Sequence, residues 1–232
     1  MNILAIDTSN PVMGVAIVNE SQVIGEVITN LAKNHSVRLM PAIDALMSEV
    51  GITPDQLDKI VVAKGPGSYT GVRIGLTTAK SLAWALKIPI VGVSSIEVLA
   101  YQGRFFNSYI CPFFDARRKT VYTGLYQWNQ DKLDIVYKDE NVLMEEWLKK
   151  ISIDGKQVLF LSPDIALYKE MILEYLGDLA VFPEAPYQIP RPSHLALAGM
   201  DRVDDNTHEL SPNYLRLAEA EANWIKAQKE KI

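Results

Sequence analysis

The 232-residue chain has one cysteine, three histidines and no apolar run near the ~18 residues that a bilayer span requires. A lone Cys111 excludes an internal disulfide framework and fits a reducing compartment; within the apolar run from Tyr109 to Phe114 it reads as core filler. His35, His194 and His208 stand far apart, none paired at i, i+4 and none near the cysteine, so no zinc pattern is present. No Ser/His/Asp constellation can be assembled either. The N-terminus passes directly into a strand pattern with no basic leader, which predicts a cytoplasmic protein. A formal net charge of −5 disfavours free binding to nucleic acid, because phosphate contacts need a basic face. Internal repeats and low-complexity tracts are lacking too. What is there is 48% hydrophobic content, enough for a sizeable core.

That content is patterned. Asn2 to Asp7, Val12 to Val18 and Gln22 to Thr29 read as three strands joined by tight turns, an antiparallel meander. A helix follows from Ser36 to Val50, with Leu39, Met40, Ile43, Leu46, Met47 and Val50 on one arc and Gly51 to stop it. Strand Leu57 to Ala63, helix Thr70 to Leu86, strand Pro89 to Val93 and a helix capped by Ser94 or Ser95 through about Tyr101 complete an order βββαβαβα. This is an α/β layer with a mixed sheet. Near Gly103 the pattern restarts: strands at Tyr109 to Phe114, Thr120 to Trp128 and Leu133 to Tyr137, helices near Met144 to Ile151 and Asp164 to Tyr175, and strands Gln157 to Leu161 and Leu179 to Phe182. Two halves, 1–104 and 105–232, are expected. Pro183, Pro186, Pro190 and Pro192 then break regular structure, His194 to about Val203 reads as a helix, and the tail Leu217 to Lys229 is helical in composition.

The stretch around which the chain is organised runs from Ala63 to Leu76, a strand end, a tight loop and a helix start. Gly65 and Gly67 can take backbone angles closed to other residues, Pro66 fixes one between them, and Ser68 or Thr70 can cap the helix. Such a loop can contact phosphate or serve as a structural turn; it lacks both the Gly-Lys-Ser/Thr ending of a nucleotide-hydrolase loop and the Gly-x-Gly-x-x-Gly spacing. On the helix, Val72, Leu76, Ala79, Leu82, Ala83 and Leu86 gather as a face for a sheet, while Arg73, Lys80 and Lys87 share one strip. The remaining arc, Ile74, Thr77, Thr78, Ser81, Trp84 and Ala85, carries no charge. A helix covered on one side only should show charge over about half its circumference. The uncharged arc is therefore either an interface with a partner or a surface buried by a neighbouring helix of the same chain.

Two further stretches carry possible chemistry. Asp7, with Thr8 and Ser9 after it, can hold a metal-bound phosphate or form a turn on local amides. Arg117, Arg118 and Lys119 can touch a nucleic-acid backbone or form a solvated hairpin tip. His35, beside Asn34 at a helix start, suits a capping or packing role.

The stretch Gly65-Pro66-Gly67-Ser68-Tyr69-Thr70-Gly71-Val72-Arg73-Ile74-Gly75 resembles the signature of the bacterial TsaB family, also called YeaZ. Ile3 to Ser9, Asn34-His35-Ser36 leading to Leu39 to Ile43, Asp115 to Arg118 with Val121-Tyr122, and Pro212 to Arg216 are similar to family motifs too. Position 69 is Tyr where Phe is more usual, which keeps the ring.

This resemblance implies a duplicated actin-like (ASKHA) ATPase fold. It also implies a part in making N6-threonylcarbamoyladenosine at position 37 of tRNAs that read codons beginning with A. In that pathway TsaD is the catalytic, metal-binding subunit and TsaE a small ATPase. The resemblance implies a non-catalytic subunit that pairs with TsaD, forms a homodimer over the same surface when TsaD is absent, and reaches tRNA only through the complex. No cofactor, metal, catalytic residue or membrane is expected; with no His-x-x-x-His and no Gly-Gly, the ATP apparatus of active relatives is missing or degenerate. The expected partner interface is Ile74, Gly75, Thr78, Ser81, Leu82 and Ala85 with Leu39 and Ile43; Gly65, Pro66, Gly67, Ser68, Thr70 and Gly71 form a structural loop. A large charged residue at Gly75 or Ser81 is expected to abolish pairing while leaving circular dichroism unchanged. The competing reading is an ATP-binding or ATP-hydrolysing enzyme of the sugar-kinase and actin-like superfamily, using Asp7 and the loop from Gly65 to Ser68.

Overall fold

A computed structural model describes residues 1–31 and 34–216. The helical tail expected at Leu217 to Lys229 lies outside the described residues. Strands β1 (Ile3–Asp7), β2 (Val12–Val18) and β3 (Val23–Asn30) form the antiparallel meander, with Ile6 opposite Val15 and Met13 opposite Thr29. Helix α1 (His35–Val50) ends at Gly51, whose left-handed φ of 69° lets its N–H reach the Met47 and Ser48 carbonyls. Strand β4 (Lys59–Ala63) pairs parallel to β1, helix α2 (Tyr69–Leu86) crosses over, and β5 (Ile90–Val93) pairs parallel to β4. The first sheet therefore has the order β3-β2-β1-β4-β5.

After the short helix α3 (Ser95–Ala100) the plan repeats. Strands β6 (Tyr109–Asp115), β7 (Thr120–Asn129) and β8 (Lys132–Leu143) form a second meander, followed by α4 (Met144–Ile151), β9 (Val158–Leu161), α5 (Ile165–Leu176) and β10 (Ala180–Val181). Their order, β10-β9-β6-β7-β8, is the first sheet's order read from its other end. Each half thus has a mixed sheet with helices against it, the duplicated arrangement of the actin-like class.

Alternation along the strands gives each sheet two apolar faces. On the first sheet, Leu4, Ile6, Val15, Ile17, Ile60 and Val62 pack under α1 and α2. The opposite face, with Ile3, Ala5, Ala16, Val61 and Val93, packs on Leu195, Ala196 and Ala198 of α6 (Pro192–Met200). Helix α6 follows the second sheet in sequence, within the half expected at 105–232, yet covers the first sheet. In the reverse sense, Ile96 and Leu99 of α3 pack with Ile110, Phe114 and Tyr126 of the second sheet. The two sheets are joined by these exchanged helices.

Candidate subunit interface

The central loop is built by close approach. A Cβ at Gly67 would stand 2.0 Å from the Ser9 carbonyl oxygen, and one at Gly71 would stand 2.1 Å from that of Thr8. Only glycine lets the start of α2 lie directly on the turn after β1. Polar groups on both sides are then satisfied: the Ser68 N–H donates to Ser9 O (2.7 Å), the Thr8 hydroxyl donates to Gly71 O (2.7 Å), and the Gly71 N–H donates to the Ser68 hydroxyl (3.3 Å). Gly65 takes φ +90° and is held by Ser95, donating to its Oγ (3.1 Å) and accepting from its N–H (3.0 Å). The Gly65, Ser68 and Gly71 amides, which a phosphate would need, are engaged within the chain. Pro66 is buried, and Thr70 is exposed on the first turn of α2.

Helix α2 meets the sheet with Val72, Gly75, Leu76, Ala79 and Ala83. Its charged strip is tied down by a C-terminal strap: Lys80 Nζ donates to the His208 and Leu210 carbonyls at 3.1 and 2.9 Å, and Arg73 Nε donates to the Tyr214 hydroxyl at 2.6 Å. The outward side is open. Thr77, Ser81, Trp84 and Ala85 are exposed, Trp84 by 69%, and Ile74, Thr78 and Leu82 are half-buried. Neighbouring α1 exposes Val37 (66%) and Met40 (46%). The uncharged arc is therefore not sealed by the described residues of this chain.

Three expected interface residues are not on this surface. Leu39 and Ile43 fall on the stripe at i, i+4, i+7 and i+8 with Leu46 and Met47, and all four enter the first sheet's core. Gly75 faces inward: a Cβ there would lie 2.5 Å from Thr8 Oγ1. A charged residue at Gly75 would break the fold, so the expectation of unchanged circular dichroism fails there and applies to Ser81 alone. Thr77, Trp84, Val37 and Met40 complete the exposed face; the helical wheel marks the first two, the wheel of α1 read for its outer side would have marked Val37, and Met40, expected on the apolar arc with Leu39 and Ile43, lies at that arc's solvent edge.

Asp7 sits in the turn this loop covers and is 3% exposed. Its Oδ1 accepts from the Ser9 N–H (2.8 Å) and Ser9 hydroxyl (2.7 Å), and Oδ2 has no partner among the described residues. Nearby, His35 Nε2 lies 3.0 Å from the Asn10 carbonyl and so donates to it, while Asn34 makes no side-chain cap. Burial raises the Asp7 pKa, opposed by the Ser9 hydrogen bonds and the His35 charge. The folded state therefore holds the Asp7 proton more tightly than the unfolded chain does. Its stabilising contribution is complete below the unfolded carboxyl's pKa and is lost as pH rises through the folded one. Asp7→Asn, which keeps the Oδ1 acceptor without charge, is expected to raise Tm by a few degrees at about pH 7.5 and by less at about pH 4. Thermal melts of both proteins at the two pH values check this; a variant less stable at the higher pH contradicts it.

Among the described residues no group of three or more His, Cys, Asp or Glu could hold a metal ion, and no helix is long and apolar enough to cross a membrane. The model of the family described as "TsaD: tRNA N6-adenosine threonylcarbamoyltransferase" matches residues 21–224. The tRNA threonylcarbamoyladenosine biosynthesis protein TsaB of Bacillus subtilis is 53% identical over 229 residues, 99% of this chain and 100% of its own. Its namesake in Buchnera aphidicola subsp. Schizaphis graminum is 31% identical over 194 residues, 81% of this chain and 91% of its own. Among solved structures, YeaZ from Pseudomonas aeruginosa superposes with a TM-score of 0.76 at 25% identity, covering 92% of this chain and 99% of that one.

Proposed function

This chain belongs to the TsaB family of tRNA threonylcarbamoyladenosine biosynthesis proteins, and from that premise we propose that it is a non-catalytic subunit that binds and activates the catalytic subunit TsaD. It docks through the outward sides of α2 and α1, helps recruit the ATPase TsaE, and works in the cytoplasm on tRNA as part of the complex. Without TsaD it pairs with a second copy of itself over the same face.

The observation that carries this reading is the side of α2 from Ile74 to Ala85, which is uncharged and open at the same time. An exposed surface of small hydroxyl side chains with one Trp loses little on desolvation and gains packing when covered. Engagement of the Gly65, Ser68 and Gly71 amides within the chain argues in the same direction, since a nucleotide phosphate would need them free.

Calorimetric titration of the isolated chain with Mg-ATP, together with its mass in solution with and without TsaD, tests the proposal. No tight nucleotide binding and a heterodimer formed at the expense of the homodimer are expected. Tight Mg-ATP binding with no change of mass on adding TsaD would favour an ATP-hydrolysing enzyme of the actin-like superfamily instead.

A further inference from the structure

The Arg117-Arg118-Lys119 turn is not absorbed by the subunit interface. It joins β6 to β7, and its three residues have φ of 65°, 54° and 62°. Consecutive left-handed angles at residues that are not glycine are strained, and persist where the surroundings hold them. Here the Arg117 N–H donates to Asp115 Oδ1 (3.2 Å), the Thr120 N–H and hydroxyl to Arg117 O (3.0 and 2.9 Å), and the Met144 N–H to Lys119 O (3.0 Å). A turn serving only to reverse the chain would carry Gly or Asn at these positions. This one displays three cations.

Beside it lies a cavity of about 310 Å³ lined by Arg117, Arg118, Arg216, Tyr69, Tyr122 and Tyr214, with no carboxylate among the described residues of its walls. In a chain of net charge −5 that is a local inversion of sign. Arg216 Nη1 donates to the Ala116 carbonyl (3.0 Å), which ties the C-terminal strap to the turn. Tyr69 and Tyr214 stack with centroids 5.2 Å apart, and the Arg73 guanidinium lies 3.8 Å over the Tyr69 ring. Both tyrosines remain nearly half exposed, at 46% and 44%. Planar guanidiniums match phosphate oxygens in pairs, and fixed exposed rings offer a surface for stacking bases.

We propose that this pocket holds a segment of the tRNA strand, its phosphates on Arg117, Arg118 and Arg216 and a base or ribose against Tyr214. The proposal rests on the reading of the chain as a subunit of a tRNA-modifying complex. An acidic peptide would use the arginines but leave the ring pair idle, so RNA is the occupant the pocket fits.

Anisotropy of fluorescently labelled tRNA, titrated with the isolated chain and with its complex with TsaD, tests it. Arg117→Glu/Arg118→Glu should weaken binding at least about tenfold and flatten the log–log salt slope by roughly 1.4, about 0.7 for each lost phosphate contact. Tyr214→Ala should weaken binding with the slope unchanged. Lys132→Glu/Lys138→Glu, the same charge change on β8, should alter binding by less than about twofold. Every variant should co-elute with TsaD, which separates failure of this site from failure of the subunit reading. Equal losses in the two charge-reversal variants, an unchanged salt slope in the first, or full displacement of tRNA by free ATP or by polyglutamate would overturn the proposal. A thermal melt accompanies each variant, and Tyr214→Ala decides if the turn variant does not fold.

Discussion

Replacing Gly71 with alanine is expected to destabilise the fold by about 3 kcal/mol or more, a drop in Tm of roughly 6–12 °C. The added methyl would lie 2.1 Å from the Thr8 carbonyl oxygen, an atom of buried backbone that cannot rotate aside. Relief requires α2 to move away from β1. That movement loosens the Thr8 to Gly71 and Ser68 to Ser9 hydrogen bonds and opens a gap where Val72, Leu76 and Ala79 enter the core. Gly155 provides the contrast. It has a left-handed φ of 60° but nothing within 4 Å of where a methyl would stand, so Gly155→Ala should cost only about 1 kcal/mol of backbone strain. Thermal or urea unfolding of the two variants separates close approach from backbone conformation as the reason for glycine. A Gly71→Ala protein that melts within about 2 °C of the parent would refute the packing account.

Ser81→Arg should do the opposite: leave the fold intact and remove the partner. Ser81 is exposed in the fourth turn of α2, so the change should shift stability by no more than about 0.5 kcal/mol, helped slightly by arginine's better helix propensity. In the assembly the same side chain would place an unpaired cation in a surface that otherwise carries none. The penalty for an uncompensated buried charge is about 3–5 kcal/mol, which weakens pairing by more than about 100-fold. Gel filtration with TsaD and a melt of the isolated variant measure the two halves of this prediction. Retained co-elution would mean that the subunits meet elsewhere.

These predictions depend on what the sequence reveals at α2 and what it hides. Periodicity is sufficient wherever one face of an element meets one layer, as at β2 (Val12–Val18) and α4 (Met144–Ile151), where the expected and formed boundaries coincide. It fails where a polar side chain is recruited from a distant element. Strand β8 is expected to end at Tyr137 but continues to Leu143 through Lys138-Asp139-Glu140-Asn141. Asp139 accepts hydrogen bonds from the Ser94 and Tyr126 hydroxyls, and Asn141 donates to the Val121 carbonyl, so a run that looks like a loop stays in the ladder. Helix α6 begins at Pro192, before the expected His194, because Glu26 of β3 accepts from the Ser193 N–H and hydroxyl at 2.9 and 2.7 Å. No local pattern can show a cap supplied from 167 residues away. The same limit applies to the site: the uncharged arc of α2 is legible, but the resemblance places Leu39 and Ile43 among candidates for a surface that they, packed in the core with Leu46 and Met47, never reach. A wheel identifies faces; which face a sheet takes is a tertiary fact.

Hydrogen–deuterium exchange of the chain with and without TsaD tests the central claim most directly. Slower exchange on binding is predicted in peptides covering Val37 to Ala45 and Ile74 to Ala85, with β4, already buried, unchanged. Identical exchange across both helices in a solution where the complex has demonstrably formed would contradict it.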